Sequence, residues 1–136
     1  MSGISRREAR ECALKNIYAF SIAGTDNPGD FFELNCAEQE IASDDFSYEL
    51  YMKTVLHFED IDKLIEENSK GWKVSRISKI TLSILRMCIC EFLYFDDIPG
   101  QVSMNEAVEL AKKYDDDDAP SFVNGVVNAV YKELKK

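Results

Sequence analysis

Over residues 74–95 the chain is more apolar than anywhere else, and no other stretch narrows the fold so much. Ile77, Ile80, Thr81, Ile84, Leu85, Cys88, Ile89, Phe92 and Leu93 recur at helical spacing, and apolar side chains also occupy most of the remaining faces. A surface helix shows one apolar stripe, whereas a helix that is apolar nearly all round has neighbours on every side. Its β-branched residues favour a strand locally, but a run of about twenty residues is far longer than a strand of roughly 3–10. The spacing therefore predicts a central helix around which the rest of the chain must assemble.

The other segments read as helices able to surround it. Ser5 followed by Glu8 is a capping box, in which the Ser hydroxyl accepts from the Glu8 N–H and the Glu carboxylate accepts from the Ser5 N–H. It starts a helix whose Ala9, Cys12, Ala13, Ile17 and Phe20 form one buried stripe, and the turn cluster Thr25 to Asp30 ends it. Short helices are expected over 31–42, with Phe32, Cys36 and Ile41 inward, and over 46–58, with Phe46, Leu50, Val55 and Leu56 inward. Another is expected around Ile61, Leu64 and Ile65, stopping near Asn68 to Gly71. Past the central helix, Asp96 to Gly100 breaks the chain, and Ser103 with Glu106 repeats the capping box. That helix runs to Lys113 or Tyr114, with Val108, Leu110 and Ala111 inward. The last helix begins by Ser121 and buries Phe122, Val123, Val126, Val127, Val130 and Leu134. Lys132, Lys135 and Lys136 lie at its C-terminal end, where the helix dipole favours cations. No strand alternation, hairpin signal or repeat competes, so the expected fold is all-α, a compact bundle of six or seven helices. A length of 136 residues suits a single domain over 1–136 with a core that needs no disulfides.

Charge restricts the partners. The net charge is −9, but residues 1–20 carry +2 while residues 21–70 carry −10. A protein that binds nucleic acid is ordinarily basic overall, so any phosphate site here must be a local patch; an acidic body equally suits a basic protein partner. The cysteines, Cys12, Cys36, Cys88 and Cys90, lack Cys-x-x-Cys spacing and read as reduced core thiols. With no long apolar span and no apolar signal core, a cytoplasmic protein is expected. His57, the lone histidine, has no catalytic partner at motif spacing. Arg6, Arg7 and Arg10 stand in the first turns of the opening helix, where each cation forgoes about 0.3–1 kcal/mol against the dipole. They fall within about a 100° arc bordering the apolar stripe and so can act together. Guanidinium groups beside free helix N–H donors suit phosphate. The alternative is a solvated basic turn with local pairs such as Arg7 with Glu11, and on these residues alone the two readings stand level.

Three blocks taken together resemble the NusB family of bacterial transcription antitermination factors. They are Arg6-Arg7-Glu8-Ala9-Arg10-Glu11-Cys12-Ala13-Leu14 with Tyr18; Ile84-Leu85-Arg86 with Glu91 and Ile98-Pro99; and Asn105 to Lys112 with Phe122-Val123-Asn124-Gly125-Val126-Val127. The resemblance covers residues 5–22 and 72–134, while 24–71 is similar only in helical character. It implies an all-helical protein that binds boxA-type single-stranded RNA together with NusE, a small-subunit ribosomal protein. The complex then joins other Nus factors on RNA polymerase, with no catalysis, cofactor or membrane involved. It implies further that Arg6, Arg7 and Arg10 grip phosphates and that Tyr18 lies beside the RNA. In the C-terminal block Phe122 and Asn124 would serve the RNA, and Tyr114 and Asp118 the protein partner.

The residues themselves add constraints. Single-stranded RNA is typically read by stacking on aromatic faces, for which Tyr18 and Phe122 are candidate platforms, although Phe122 at the start of an apolar helix suits the core equally. Asn124-Gly125 is expected to let a neighbouring helix approach closely, since Gly inside a helix costs ~1 kcal/mol and needs a reason. Arg86 on the central helix calls for an acid such as Glu91 or Glu106. The family often carries an acidic-Ser pair ahead of Phe-Val-Asn-Gly, where this chain has Asp117-Asp118 followed by Ala119-Pro120. The run Asp115 to Asp118 opposes phosphate and lacks the alternating spacing and Gly of a calcium loop, which leaves a solvated loop or a landing site for a basic protein. Two further outcomes stay open: a NusB-like regulatory domain working with a separate ribosomal RNA methyltransferase, and a protein-binding scaffold. A homodimer formed through the arginine face would occlude the RNA site.

Overall fold

The computed structural model describes residues 3–135. These contain seven α-helices: α1 (Arg6–Ala23), α2 (Pro28–Gln39), α3 (Asp45–Leu56), α4 (Phe58–Glu67), α5 (Lys79–Tyr94), α6 (Gly100–Tyr114) and α7 (Ala119–Lys135). A short 3-10 turn, Val74–Arg76, precedes α5, and no strand occurs among the described residues. Helix α5 is the spine. Every residue from Thr81 through Glu91 is buried, and α1, α3, α4, α6 and α7 all pack against it. Helices α1 and α3 pair on one side and α6 and α7 on another, with α2 closing over α1 and α3.

The local signals explain most boundaries. The Ser5 capping box is formed, with Glu8 N donating to Ser5 Oγ at 3.0 Å and Ser5 N to Glu8 Oε1 at 2.8 Å. Gly24 ends α1 in the left-handed region, at φ +62°. Asp44 caps α3 by accepting from Ser47 N at 2.8 Å. Helix α5 is shorter than its apolar run: Ser78 caps it, and Ile77 before the cap is extended, so residues 74–76 form a separate turn. Helix α7 starts at Ala119, two residues before the expected Ser121. Lys132 and Lys135 stand in its last turn; Lys136 lies outside the described residues.

Four expectations are corrected. Ser103 and Glu106 do not cap α6, which begins at Gly100 after Pro99; Ser103 Oγ donates to Glu91 Oε1 at 2.7 Å, and Glu106 binds Arg7. Arg86 pairs with neither Glu91 nor Glu106. Its fork meets Asp62 at 2.8 and 2.7 Å while its guanidinium lies 3.9 Å over Phe58. Gly125 is exposed, and a Cβ there would meet nothing within 4 Å, so it admits no close helix approach. The close approach is at Gly100 instead, where a Cβ would fall 2.1 Å from Tyr131 Cε1. Lastly, Leu56 and Leu134 are exposed, not inward.

The cysteines are free thiols, three of them buried. Burial pushes the Cys90 thiol up to about 12 and the Cys88 thiol well above its ordinary value, which keeps both protonated and inert. No cluster of metal-ligating side chains occurs among the described residues, and no described helix is long and apolar enough to cross a membrane.

Candidate nucleic-acid interface

Helix α1 turns one face to α5 and leaves another to solvent. At 100° per residue, Arg7, Glu11, Lys15, Tyr18 and Ile22 fall within about an 80° arc. Arg7, Lys15, Tyr18 and Ile22 are exposed, Tyr18 at 38% and Ile22 at 57%. Arg6 stands beside this stripe with its guanidinium 3.8 Å over the Phe46 ring, which leaves its N–H edge for a ligand.

Helix α6 flanks the stripe and supplies the acids Glu106 and Glu109, then the bases Lys112 and Lys113 toward its end. Arg7 makes a two-point fork on Glu106, Nε to Oε1 at 3.0 Å and Nη2 to Oε2 at 2.7 Å, although the Arg7 side chain is 61% exposed. The hydrogen bonds from Arg7 hold the Glu106 carboxyl below the usual carboxylate range, against the opposing effect of its partial burial. Further along, Lys113 Nζ meets Glu11 Oε2 at 2.7 Å, a hydrogen bond that raises the lysine. Tyr114 sits half-buried at the same place, its phenol pushed up first by burial and then by the Glu11 charge. A shallow groove lined by Arg7, Glu11, Glu106, Leu110 and Lys113 joins the two helices.

Arg10 is not part of this surface. It is 3% exposed, and its fork closes on Glu91 of α5 with Nε–Oε2 at 2.8 Å and Nη2–Oε1 at 3.0 Å. Ser103 of α6 donates to the same carboxylate, so one buried acid ties α1, α5 and α6 together. The expected phosphate grip at Arg10 is therefore corrected: a buried guanidinium satisfied on two points has no donor for a phosphate outside. Its place on the border of the apolar stripe gave the wrong side of that border.

The remaining candidates lie elsewhere. Phe122, half-buried at the start of α7, meets Trp72 edge-on with centroids 6.4 Å apart. Both line a cleft with Arg76, Thr81, Asp116 and Asp118. Asn124, two residues on and so on the opposite face of α7, is exposed and accepts from Asn128 Nδ2 at 2.9 Å through its carbonyl. Asp115 turns inward to hydrogen-bond the Thr81 hydroxyl, while Asp116, Asp117 and Asp118 stay exposed. These acids begin at the far end of α6 from Glu106, about 12 Å along the helix axis. The phosphate-repelling run is thus separated from Arg6 and Arg7. Lys15 and Lys113 also belong to the α1 surface and were not singled out from the sequence. The signal for Lys15 is its spacing of four from Glu11, which puts it on the Arg7 face.

Comparison with known proteins decides the kinship. The family model described as "NusB family" matches residues 7–132. The chain belongs to the NusB family. A relative named transcription antitermination protein NusB, from Natranaerobius thermophilus, is 42% identical, with 98% of this chain and 99% of the relative covered. A crystal structure of antitermination factors NusB and NusE in complex with dsRNA contains a chain that is 30% identical, with a TM-score of 0.82 over 94% of this chain and 96% of that one. NusB of T. maritima superposes with a TM-score of 0.84 at 26% identity, covering 98% of this chain and 94% of that one. The all-α bundle is thus the NusB fold, and the match runs through the 24–71 region where the motifs are weakest.

Proposed function

We propose that this chain is a transcription antitermination factor that binds boxA-type single-stranded RNA together with the ribosomal protein NusE. It supports ribosomal RNA transcription and joins other Nus factors on RNA polymerase. It works in the cytoplasm as one RNA-binding domain over 1–136, with no cofactor and no catalysis. Membership of the NusB family along nearly the whole length supports this, as does the likeness to a NusB chain seen with NusE and RNA. The observation that carries the reading is the exposed face of α1, where Arg7 stands in line with Lys15 and Tyr18 and Arg6 stands beside them, on an otherwise acidic chain. Arg6 and Arg7 take phosphates and Tyr18 a base. Arg10 acts behind them as a positioning residue. Phe122 offers a second aromatic edge and Asn124 a polar contact on the outer face of α7. Tyr114, with its neighbours Glu11 and Lys113, and Asp118 serve the basic protein partner.

The test is a titration of labelled boxA-like RNA with and without NusE at several salt concentrations. Weak binding by the chain alone that tightens with NusE, and a salt slope of about −0.7 per phosphate contact, is the expected result. No binding in either case, or binding that ignores salt, overturns the reading.

A further inference from the structure

Away from the α1–α6 surface, the junction of α1 with α2 holds two thiols around one amide. Cys12, on the inner side of α1, is 1% exposed, whereas Cys36, near the end of α2, is half-buried and within reach of solvent. Asn16, one turn beyond Cys12 and fully buried, stands between them. Its Nδ2 donates to Cys12 O at 2.8 Å and lies 3.7 Å from Cys12 Sγ and 3.5 Å from Cys36 Sγ, while its Oδ1 accepts from Asn35 Nδ2 at 3.0 Å. Two sulfurs that share one nitrogen at these distances are neighbours. Burial pushes the Cys12 thiol up to about 12; Cys36 adds to the rise through its charge and as a hydrogen-bond partner, and a hydrogen bond with Ser47 opposes it. The end of α2 is fixed where Cys36 stands, since its carbonyl accepts from Glu40 N and, at 2.9 Å, from Ile41 N. The other two thiols have no such arrangement. Cys88 and Cys90 are both buried, and two residues apart on α5 they project about 200° from one another.

We infer that Cys12 and Cys36 are a peroxide-oxidisable pair that closes to an intramolecular disulfide and staples α2 to α1. The oxidant is hydrogen peroxide, and it meets Cys36 first because that sulfur is the one solvent reaches. The Cys36 thiolate attacks one peroxide oxygen: an S–O bond forms, the O–O bond breaks, and the hydroxide released takes a proton to become water. Cys36 is then a sulfenic acid. The Cys12 sulfur attacks the Cys36 sulfur; the S–S bond forms, the S–O bond breaks, and the departing hydroxide leaves as water with the Cys12 proton. Two thiols and one peroxide thus give one disulfide and two waters. Asn16 Nδ2 keeps Cys12 O as an acceptor when the sulfurs close, so the amide stays satisfied. Burial holds Cys12 protonated, which keeps the pair open until oxidant has reached Cys36, and a dithiol reductant reopens it. Helix α2 packs chiefly on α1 and α3, so the bond would fix the element with the fewest neighbours. It leaves the arginine face alone, because Arg7 and Tyr18 lie about 140° and 120° round α1 from Cys12.

The full-length protein is exposed to a small excess of hydrogen peroxide, and its free thiols are then counted by alkylation in denaturant. The expected result is a fall from four thiols to two and a mass lower by two hydrogens. A non-reduced tryptic digest should hold peptide 11–15 joined to peptide 16–53. Dithiothreitol should restore all four thiols. The oxidised chain should unfold roughly 5–10 °C above the reduced one, since the bond closes a loop in the unfolded chain. Cys36→Ser should keep its three thiols under the same exposure and show no such rise. Cys12→Ser should leave Cys36 without a resolving partner, so that it goes on to the sulfinic acid and gains two oxygens that dithiothreitol does not remove. If the core change at Cys12 unfolds the chain, the half-buried Cys36→Ser decides alone. Four thiols that persist, a cross-link between two chains, a bond that includes Cys88 or Cys90, or a wild-type Cys36 sulfinic acid beside a free Cys12 overturns the pair. None of these outcomes bears on what the α1 face binds.

Discussion

The α1–α6 surface and the connector before α5 hold their cations differently. On α1 and α6 three basic groups face acids across helices, Arg7 on Glu106, Lys113 on Glu11 and, beneath them, Arg10 on Glu91, while Arg6 lies over the Phe46 ring. On the connector, Lys70, Lys73 and Arg76 face solvent. Formal charge along the sequence therefore misstates where anions are drawn. The first surface is shaped, with guanidiniums held in fixed directions by carboxylates that a phosphate must displace or bridge. The second is less patterned but more available. A ligand that needs both would gain direction from one and electrostatic attraction from the other.

The sharpest way to break this contrast is at its buried root. Glu91→Ala leaves the Arg10 guanidinium and the Ser103 hydroxyl without their acceptor, and should lower stability by roughly 3–5 kcal/mol in urea unfolding. An effect below about 1 kcal/mol would mean that water reaches Arg10 and that the division into buried and exposed arginines is wrong. Next, Arg6→Ala with Arg7→Ala should weaken RNA binding about tenfold and flatten the salt slope by about 1.4, with little change in unfolding. An unchanged slope would show that neither arginine meets a phosphate. Beyond the connector, on α7, Gly125→Ala should raise stability by about 0.5–1 kcal/mol, since the position is helical, exposed and unobstructed. A destabilised variant would restore the close approach that the sequence suggested. The smallest effect is expected from Glu106→Gln, which releases Arg7 from its fork: RNA should bind up to a few-fold tighter, with a marginally lower unfolding midpoint. The pH dependence follows the same pair. Because the Glu106 carboxyl lies below its ordinary value when folded, its contribution is complete above the unfolded carboxylate range near pH 4.5 and disappears as pH falls through the folded value. Comparing wild type with Glu106→Gln across pH 3–6 isolates it.

Much of this fold is legible because its signals are local. The Ser5 capping box, the glycine after Ala23 and the all-round apolar character of 81–91 each depend on residues within a few turns of one another. What escaped the sequence depends on partners far along the chain. Arg10 reads as a surface arginine until Glu91 is placed against it, and Ser103 reads as a cap until the same carboxylate accepts its hydrogen bond. Glu106 satisfies the capping spacing but faces Arg7, 99 residues away in sequence. Arg86 needed an acid, as expected for a guanidinium on the central helix, and the acid was Asp62 on α4. Gly125 misled for another reason: glycine on an exposed helical face leaves the same sequence trace as glycine at a crossing. Of the site, Arg6, Arg7 and Tyr18 could be read from the helix face, whereas the connector's Trp72 passed as a link between helices because nothing in its spacing marks it as exposed.

The Glu91 carboxylate has a consequence for timing. Arg10 leaves the ribosome early, yet the acid that satisfies it follows 81 residues later, and the Ser103 hydroxyl that completes the cluster later still. Until α5 has emerged, burying the inner face of α1 would strand a guanidinium, so the nascent N-terminal helix stays wet and unanchored. The face that presents Arg6, Arg7 and Tyr18 therefore acquires its fixed geometry only near the end of synthesis. Partly made chains expose those arginines without the frame that directs them.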